Sequence, residues 1–165
     1  MLKLSILPLL FLSLGIFGCR NVKNSENTAV APVEQSEQGD VSLFASISKS
    51  PCYGTCPVYE MKIYSDRTVE YEGKRNVERI GKYSATISEE QMQKFVTVAN
   101  EINYFKLEDK YDSPITDVPS TTTILTVNGS TKSVYRRADY PNKILRFEAL
   151  FEDLFELLEW KKVDD

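Results

Sequence analysis

Cysteines are the residues of this chain best equipped for covalent chemistry, and there are three: Cys19, Cys52 and Cys56. Cys52 and Cys56 enclose Tyr53-Gly54-Thr55, while Cys19 closes a long apolar run near the start. The chain contains no histidine, which removes Ser-His-Asp triads, histidine general bases and histidine-ligated metals. Two thiolates without histidine make a poor zinc site. The Cys-x-x-x-Cys spacing is one residue longer than the usual redox motif, and no neighbour is an obvious thiolate stabiliser. On a tight turn containing Gly54, two thiols four positions apart can reach disulfide geometry in an oxidising compartment. So small a loop contributes only about 2 kcal/mol by chain entropy, so its role would be to pin the segment locally. A structural disulfide is the leading reading; a redox pair, a metal site and free thiols stay open beside it.

Other residue sets carry less. Asp109, Asp112 and Asp117 could offer oxygen ligands to a hard cation, but their spacing matches no calcium loop, and with Pro114 and Pro119 they read as turn formers. Lys74, Arg75, Arg79, Lys82, Arg136 and Arg137 could gather into an anion patch; Arg136 and Arg137, as strand neighbours, would point to opposite faces, so solvated scatter is expected. Tyr53, Tyr59, Tyr64, Tyr71 and Tyr83 could line a recognition surface or be half-buried strand residues. Glycosidase-type carboxylate pairs are not singled out by any spacing, and there is no glycine-rich phosphate loop. No catalytic residue, metal ligand or cofactor is assigned.

Lys3 supplies a positive start, and residues 4–17 are apolar. Fourteen helical residues span roughly 21 Å, short of the ~30 Å hydrocarbon core, so residues 1–18 read as a signal peptide. The run Leu14-Gly15-Ile16-Phe17-Gly18-Cys19 ends bulky, variable, small, cysteine, and resembles the lipobox of bacterial lipoproteins, with Phe17 where a small residue is usual and Ile16 where leucine is usual. The resemblance implies a diacylglycerol on the Cys19 thiol, cleavage after Gly18 and acylation of the new amine. Several acyl chains hold a protein to a bilayer where one does not. A rival cut after Gly15 would leave Cys19 an unmodified thiol. With Cys19 given to lipid, Cys52 and Cys56 remain as a pair. Lipoprotein sorting rules, with Arg20 rather than aspartate after the cysteine, imply the outer membrane, on either face.

Loss of Lys3 with the signal leaves 19 basic against 24 acidic groups, a net charge of −5, which favours no nucleic-acid partner. Residues 19–40 are polar and poor in large apolar side chains, a disordered tether with a coil span of about 25 Å. Residues 41–163 have the length of one domain.

Within that domain Val41, Leu43, Ala45 and Ile47 alternate as a strand, as do Tyr59, Met61 and Ile63, then Val69 and Tyr71. A three-residue loop, Ser65-Asp66-Arg67, pairs Ile63 with Val69 and Met61 with Tyr71, which puts Arg67 in a left-handed conformation at a cost of about 1 kcal/mol. Residues 77–87 read as a strand with Tyr83, Ala85 and Ile87 on one face. Ser88 and Gln91 form a capping box for a helix carrying Met92, Phe95, Val96, Ala99 and Ile102 and ending near Tyr104-Phe105. Asn128-Gly129 between residues 121–127 and 131–136 signals a hairpin of unsettled register. Pro141 opens a last helix whose broad apolar face runs from Ile144 to Leu158; Glu148, Glu152 and Glu156 form a like-charge column expected to be solvated. The fold class is α+β: an antiparallel meander of three to four strands, a helix, a hairpin, and a C-terminal helix packed on the sheet.

The segments Cys52-Tyr53-Gly54-Thr55-Cys56-Pro57-Val58-Tyr59, Ile63-Tyr64-Ser65-Asp66, Val69-Glu70-Tyr71-Glu72-Gly73 and Thr116-Asp117-Val118-Pro119, with Thr122-Thr123, resemble a bacterial family, the domain of unknown function numbered 6438. Its usual glycine at the position of Arg67 accords with a left-handed residue there. The resemblance implies an exported domain over most of residues 41–158 and supplies no catalytic residue.

The leading expectation is a non-enzymatic envelope lipoprotein. Its partners would be a lipid bilayer, through acylated Cys19, and another envelope component. The alternatives are a thiol-disulfide protein using Cys52 and Cys56 and a carboxylate-dependent hydrolase.

Overall fold

The computed structural model describes residues 40–163. Residues 1–18, read as a signal peptide, Cys19, and all of the stretch read as a tether but Asp40 lie outside the described residues. Strands β1 (Leu43–Lys49), β2 (Val58–Tyr64), β3 (Thr68–Arg75) and β4 (Gly81–Thr86) form the antiparallel meander. Then come α1 (Glu89–Ile102), β5 (Lys110–Tyr111), the hairpin β6 (Thr121–Val127) and β7 (Ser130–Arg136), α2 (Ile144–Leu157) and β8 (Lys161–Lys162). The class is α+β, but three to four meander strands understate the sheet. All the strands join one 8-stranded sheet in the order β5-β7-β6-β1-β2-β3-β4-β8, mixed because β5 runs parallel to β7. β5 and β8 are two residues each, too short for any alternation to show in the sequence.

The local chemistry explains most boundaries. Ile63 pairs with Val69 and Met61 with Tyr71, as the three-residue loop requires, and Arg67 sits at φ 72°. Asn128 and Gly129 both take positive φ, the two-residue hairpin geometry whose twist suits the flanking strands, so Val127 faces Ser130 and the register is settled. Ser88 accepts from the Gln91 N–H at 3.1 Å while the Gln91 side chain accepts from the Ser88 N–H at 2.7 Å.

Three expectations need correction. The strand read over residues 77–87 begins only at Gly81, because the chain turns back through Asn76 at φ 55°. Helix α1 stops at Ile102, where Asn103 turns left-handed, and Tyr104–Lys106 form a separate 3-10 turn. Helix α2 begins at Ile144 rather than Pro141, since the intervening residues make tighter bonds from Ile144 N–H to the Pro141 carbonyl and from Leu145 N–H to that of Asn142.

The core lies between one sheet face and the helices. Ala45, Ile47, Met61, Ile63, Val69 and Leu125 meet an aromatic cluster in which Phe95 stands edge-on to Phe147 and Phe151, with centroids 5.6 and 4.9 Å apart. Such edge contacts add about 0.5–1.5 kcal/mol each beyond burial. The Tyr104 hydroxyl, deep in this layer, shares a 2.8 Å hydrogen bond with Thr123, so its polar atom is satisfied.

The glutamate column of α2 is not solvated as a whole. Glu148 is 3% exposed and accepts two bonds from Arg136, one from Nε at 2.5 Å and one from Nη2. The Arg136 guanidinium also lies 4.4 Å from the Tyr140 ring centroid. Burial alone would lower the Arg136 pKa, but the bonds to Glu148 raise it above its ordinary value. Like charges stacked on a helix are tolerable here because the buried one, Glu148, is neutralised from outside the helix.

Removing one member of this pair leaves an unpaired buried charge. Glu148→Leu should therefore lose about 3–5 kcal/mol in chemical denaturation, and adding Arg136→Met should recover most of it. Arg67→Gly should gain about 1 kcal/mol, and a lower unfolding midpoint would count against the left-handed strain assigned to that loop.

Candidate functional site

A row of residues crosses the helix-facing side of the sheet at one end: Arg136 pairs with Thr121, Thr121 with Lys49, Lys49 with Tyr59, Tyr59 with Gly73, and Gly73 with Gly81. The acidic column of α2 lies over this row. Glu148 takes Arg136, and Glu152 takes Lys49, whose ammonium is 2.8 Å from Oε1 and 5.5 Å from the Tyr59 ring centroid. Beyond Lys49 the row presents Tyr59 and two glycines, and the third acid, Glu156, has no ion-pair partner among the described residues.

At that point the surface opens into a cleft of about 370 Å³. Tyr59 and Tyr71 line its inner side, Glu152, Phe155 and Glu156 the helix side, and Asn76, Val77 and Glu78 the opposite wall. That wall exists because residue 73 is glycine. A Cβ there would fall 1.8 Å from the Arg79 carbonyl oxygen and 2.8 Å from the Tyr71 hydroxyl, so any side chain would push the turn away. The Arg79 guanidinium stacks 4.7 Å from the Phe155 centroid, and Trp160 packs 5.5 Å from Tyr71.

The Tyr71 hydroxyl is the anomaly of this region. The residue is 2% exposed and its oxygen has no hydrogen-bond partner, although an unpaired buried hydroxyl costs about 1–3 kcal/mol. Burial, with the Tyr59 phenol close by, pushes Tyr71 up to about 12. Tyr59 is raised further, by burial and then by the carboxylates of Glu152 and Glu148. Both phenols are thus neutral at ordinary pH, in a cleft lined by the carboxylates of Glu78, Glu152 and Glu156 together with the Lys49 ammonium.

Cys52 and Cys56 are bonded to each other, with Cα atoms 5.8 Å apart, in the loop between β1 and β2. That loop forms the rim of the cleft: Pro57 lines it, and the Asn76 amide donates to the Cys56 carbonyl at 3.1 Å. Tyr53 projects from the loop tip, 91% exposed.

The other candidate sets are dispersed. Asp109 pairs with Lys132, Asp112 with Lys110 and Arg137, and Asp117 adopts φ 68° in a turn. No group of three metal-binding side chains occurs among the described residues. Burial would raise Asp112, but hydrogen bonds from Lys110 and Arg137 outweigh it and hold the carboxyl below its usual value. The basic residues do not gather, and they are not simply solvated: Lys74 pairs with Glu72, Arg136 turns inward to Glu148, and Arg137 goes to Asp112 at 2.6 Å. Of the tyrosines, Tyr59, Tyr71 and Tyr83 meet on the helix side, whereas Tyr64 donates to Glu70 at 2.7 Å, a bond that pushes it up to about 12.

Lys49, Asn76, Glu78, Glu152, Phe155 and Glu156 were not marked as site residues by sequence. One signal was present: Glu148, Glu152 and Glu156 have no Lys or Arg four residues away within the helix, so any partners had to come from elsewhere.

The fold and cleft define a two-layer α+β domain with a small aromatic pocket edged by carboxylates. The chain belongs to the family described as domain of unknown function (DUF6438), whose profile matches residues 44–156. No curated protein matches the chain.

Tyr71→Phe deletes only the unpaired hydroxyl. It should raise the thermal midpoint, by the equivalent of about 1 kcal/mol; a fall would mean the hydroxyl has a partner in the folded protein.

Proposed function

We propose that this chain is a lipid-anchored protein of the bacterial cell envelope, acylated at Cys19 and held at the outer membrane, whose α+β domain is a non-enzymatic binding module. The observation that carries the reading is the apolar run over residues 4–17 closed by Gly18-Cys19 and followed by a polar stretch through Asp40. An export signal, a small residue at the cut and a nucleophilic thiol just after it are what lipidation chemistry needs. The Cys52–Cys56 bond supports an oxidising compartment, where such bonds persist.

The binding half of the proposal rests on the cleft. With no histidine in the chain, and with Lys49 held by Glu152 and Glu78 by Arg79, its polar groups are arranged to hold a ligand rather than to pass protons. The bonded cysteines pin the cleft rim, a structural use of the pair.

Growth with a clickable palmitate analogue tests the anchor. Wild-type chain should incorporate label and partition with membranes, and Cys19→Ser should lose the label and appear in the soluble fraction. An unacylated native mass would overturn the proposal.

A further inference from the structure

The glutamates of α2 meet the sheet row as successive rungs. Arg136 answers Glu148, Lys49 answers Glu152, and no basic residue answers Glu156. The cleft opens at this third rung. We infer that the cleft binds a primary aliphatic amine, whose ammonium group takes the place opposite Glu156 that the sheet leaves without a basic residue.

Four observations carry this. The second rung already displays the geometry, with one ammonium held between a carboxylate at 2.8 Å and a tyrosine face at 5.5 Å. Aromatic faces and carboxylates together attract organic cations; at the opening Tyr59 already meets Lys49, and Phe155 and Glu78 already meet Arg79, so Glu156 is the carboxylate left to a ligand. The Tyr71 hydroxyl, 98% buried and without a partner, ends beside Gly73 and Val77 at the inner wall, where its lone pairs can accept from an ammonium. A volume of about 370 Å³ suits a small molecule or the end of a lysine-like chain.

The inference rests on reading the domain as a binding module. It is tested on the purified full chain by titration, which reads binding and is indifferent to whether Cys19 is acylated. Trp160, the single tryptophan, lies 5.5 Å from Tyr71 and 6.0 Å from Phe155 and reports on the cleft by fluorescence. The probe is 1,5-diaminopentane, with 1,5-pentanediol as its uncharged counterpart. The diamine should give a saturable signal and the diol none. Glu156→Gln, a change at an exposed position, should weaken diamine binding about tenfold, and Tyr71→Phe should weaken it while leaving the fold intact. A response flat to about 10 mM diamine, equal binding of the diol, or unchanged affinity in either variant would overturn the inference without touching the lipid anchor.

Discussion

The contact between Arg136 and Glu148 is the constraint on which the rest of this architecture turns. It joins the last long strand to the last helix inside the protein, with the arginine side chain 13% exposed and the glutamate side chain 4%. Two charges brought so far out of water are tolerable only if each saturates the other, and the fork of the guanidinium does this for both carboxylate oxygens. That requirement fixes the rotation of α2 about its axis. Once Glu148 faces Arg136, Phe147 and Phe151 must enter the aromatic core and Glu152 must fall above Lys49.

From this anchor the environment grades outward along α2. Glu148 is buried, Glu152 is 60% exposed by side chain but still paired, and Glu156 is exposed and without a partner among the described residues. The sheet changes in step, from Arg136 to Lys49 to Tyr59 and then Gly73, where the missing side chain admits the folded-back turn that walls the cleft. The disulfide loop closes the rim of the same region. Structural economy and a ligand-sized opening thus share one origin. The row of partners for α2 runs out before its acids do.

The legible parts of the fold were those decided by neighbours in the chain. Alternation in β1 to β3 located the strands, the left-handed Arg67 and the Asn128-Gly129 pair set two hairpins, and Ser88 with Gln91 set the start of α1. The edge strands β5 and β8 were invisible because two residues carry no period, and their pairing depends on backbone groups that any sequence offers. The 77–80 segment was read as the start of the strand that carries Tyr83, Ala85 and Ile87. Gly73, distant along the chain, is what makes room for it to turn back. Of the acids of α2, Glu148 was misread as solvated for a related reason, since its partner Arg136 is on another element, and the partner of the exposed Glu152, Lys49, lies 103 residues away.

Sequence alone determined the α+β class, the position of most strands and both helices, the proximity of Cys52 to Cys56, and a chemistry without histidine. Each of these is a property of residue type and short-range spacing. Tertiary structure decided which carboxylates are buried, which are paired and which is left open, and so where the cleft lies. Those outcomes depend on strand register across the whole sheet and on the rotation of one helix above it. Both are set by contacts among residues far apart in the chain, so no local pattern encodes them.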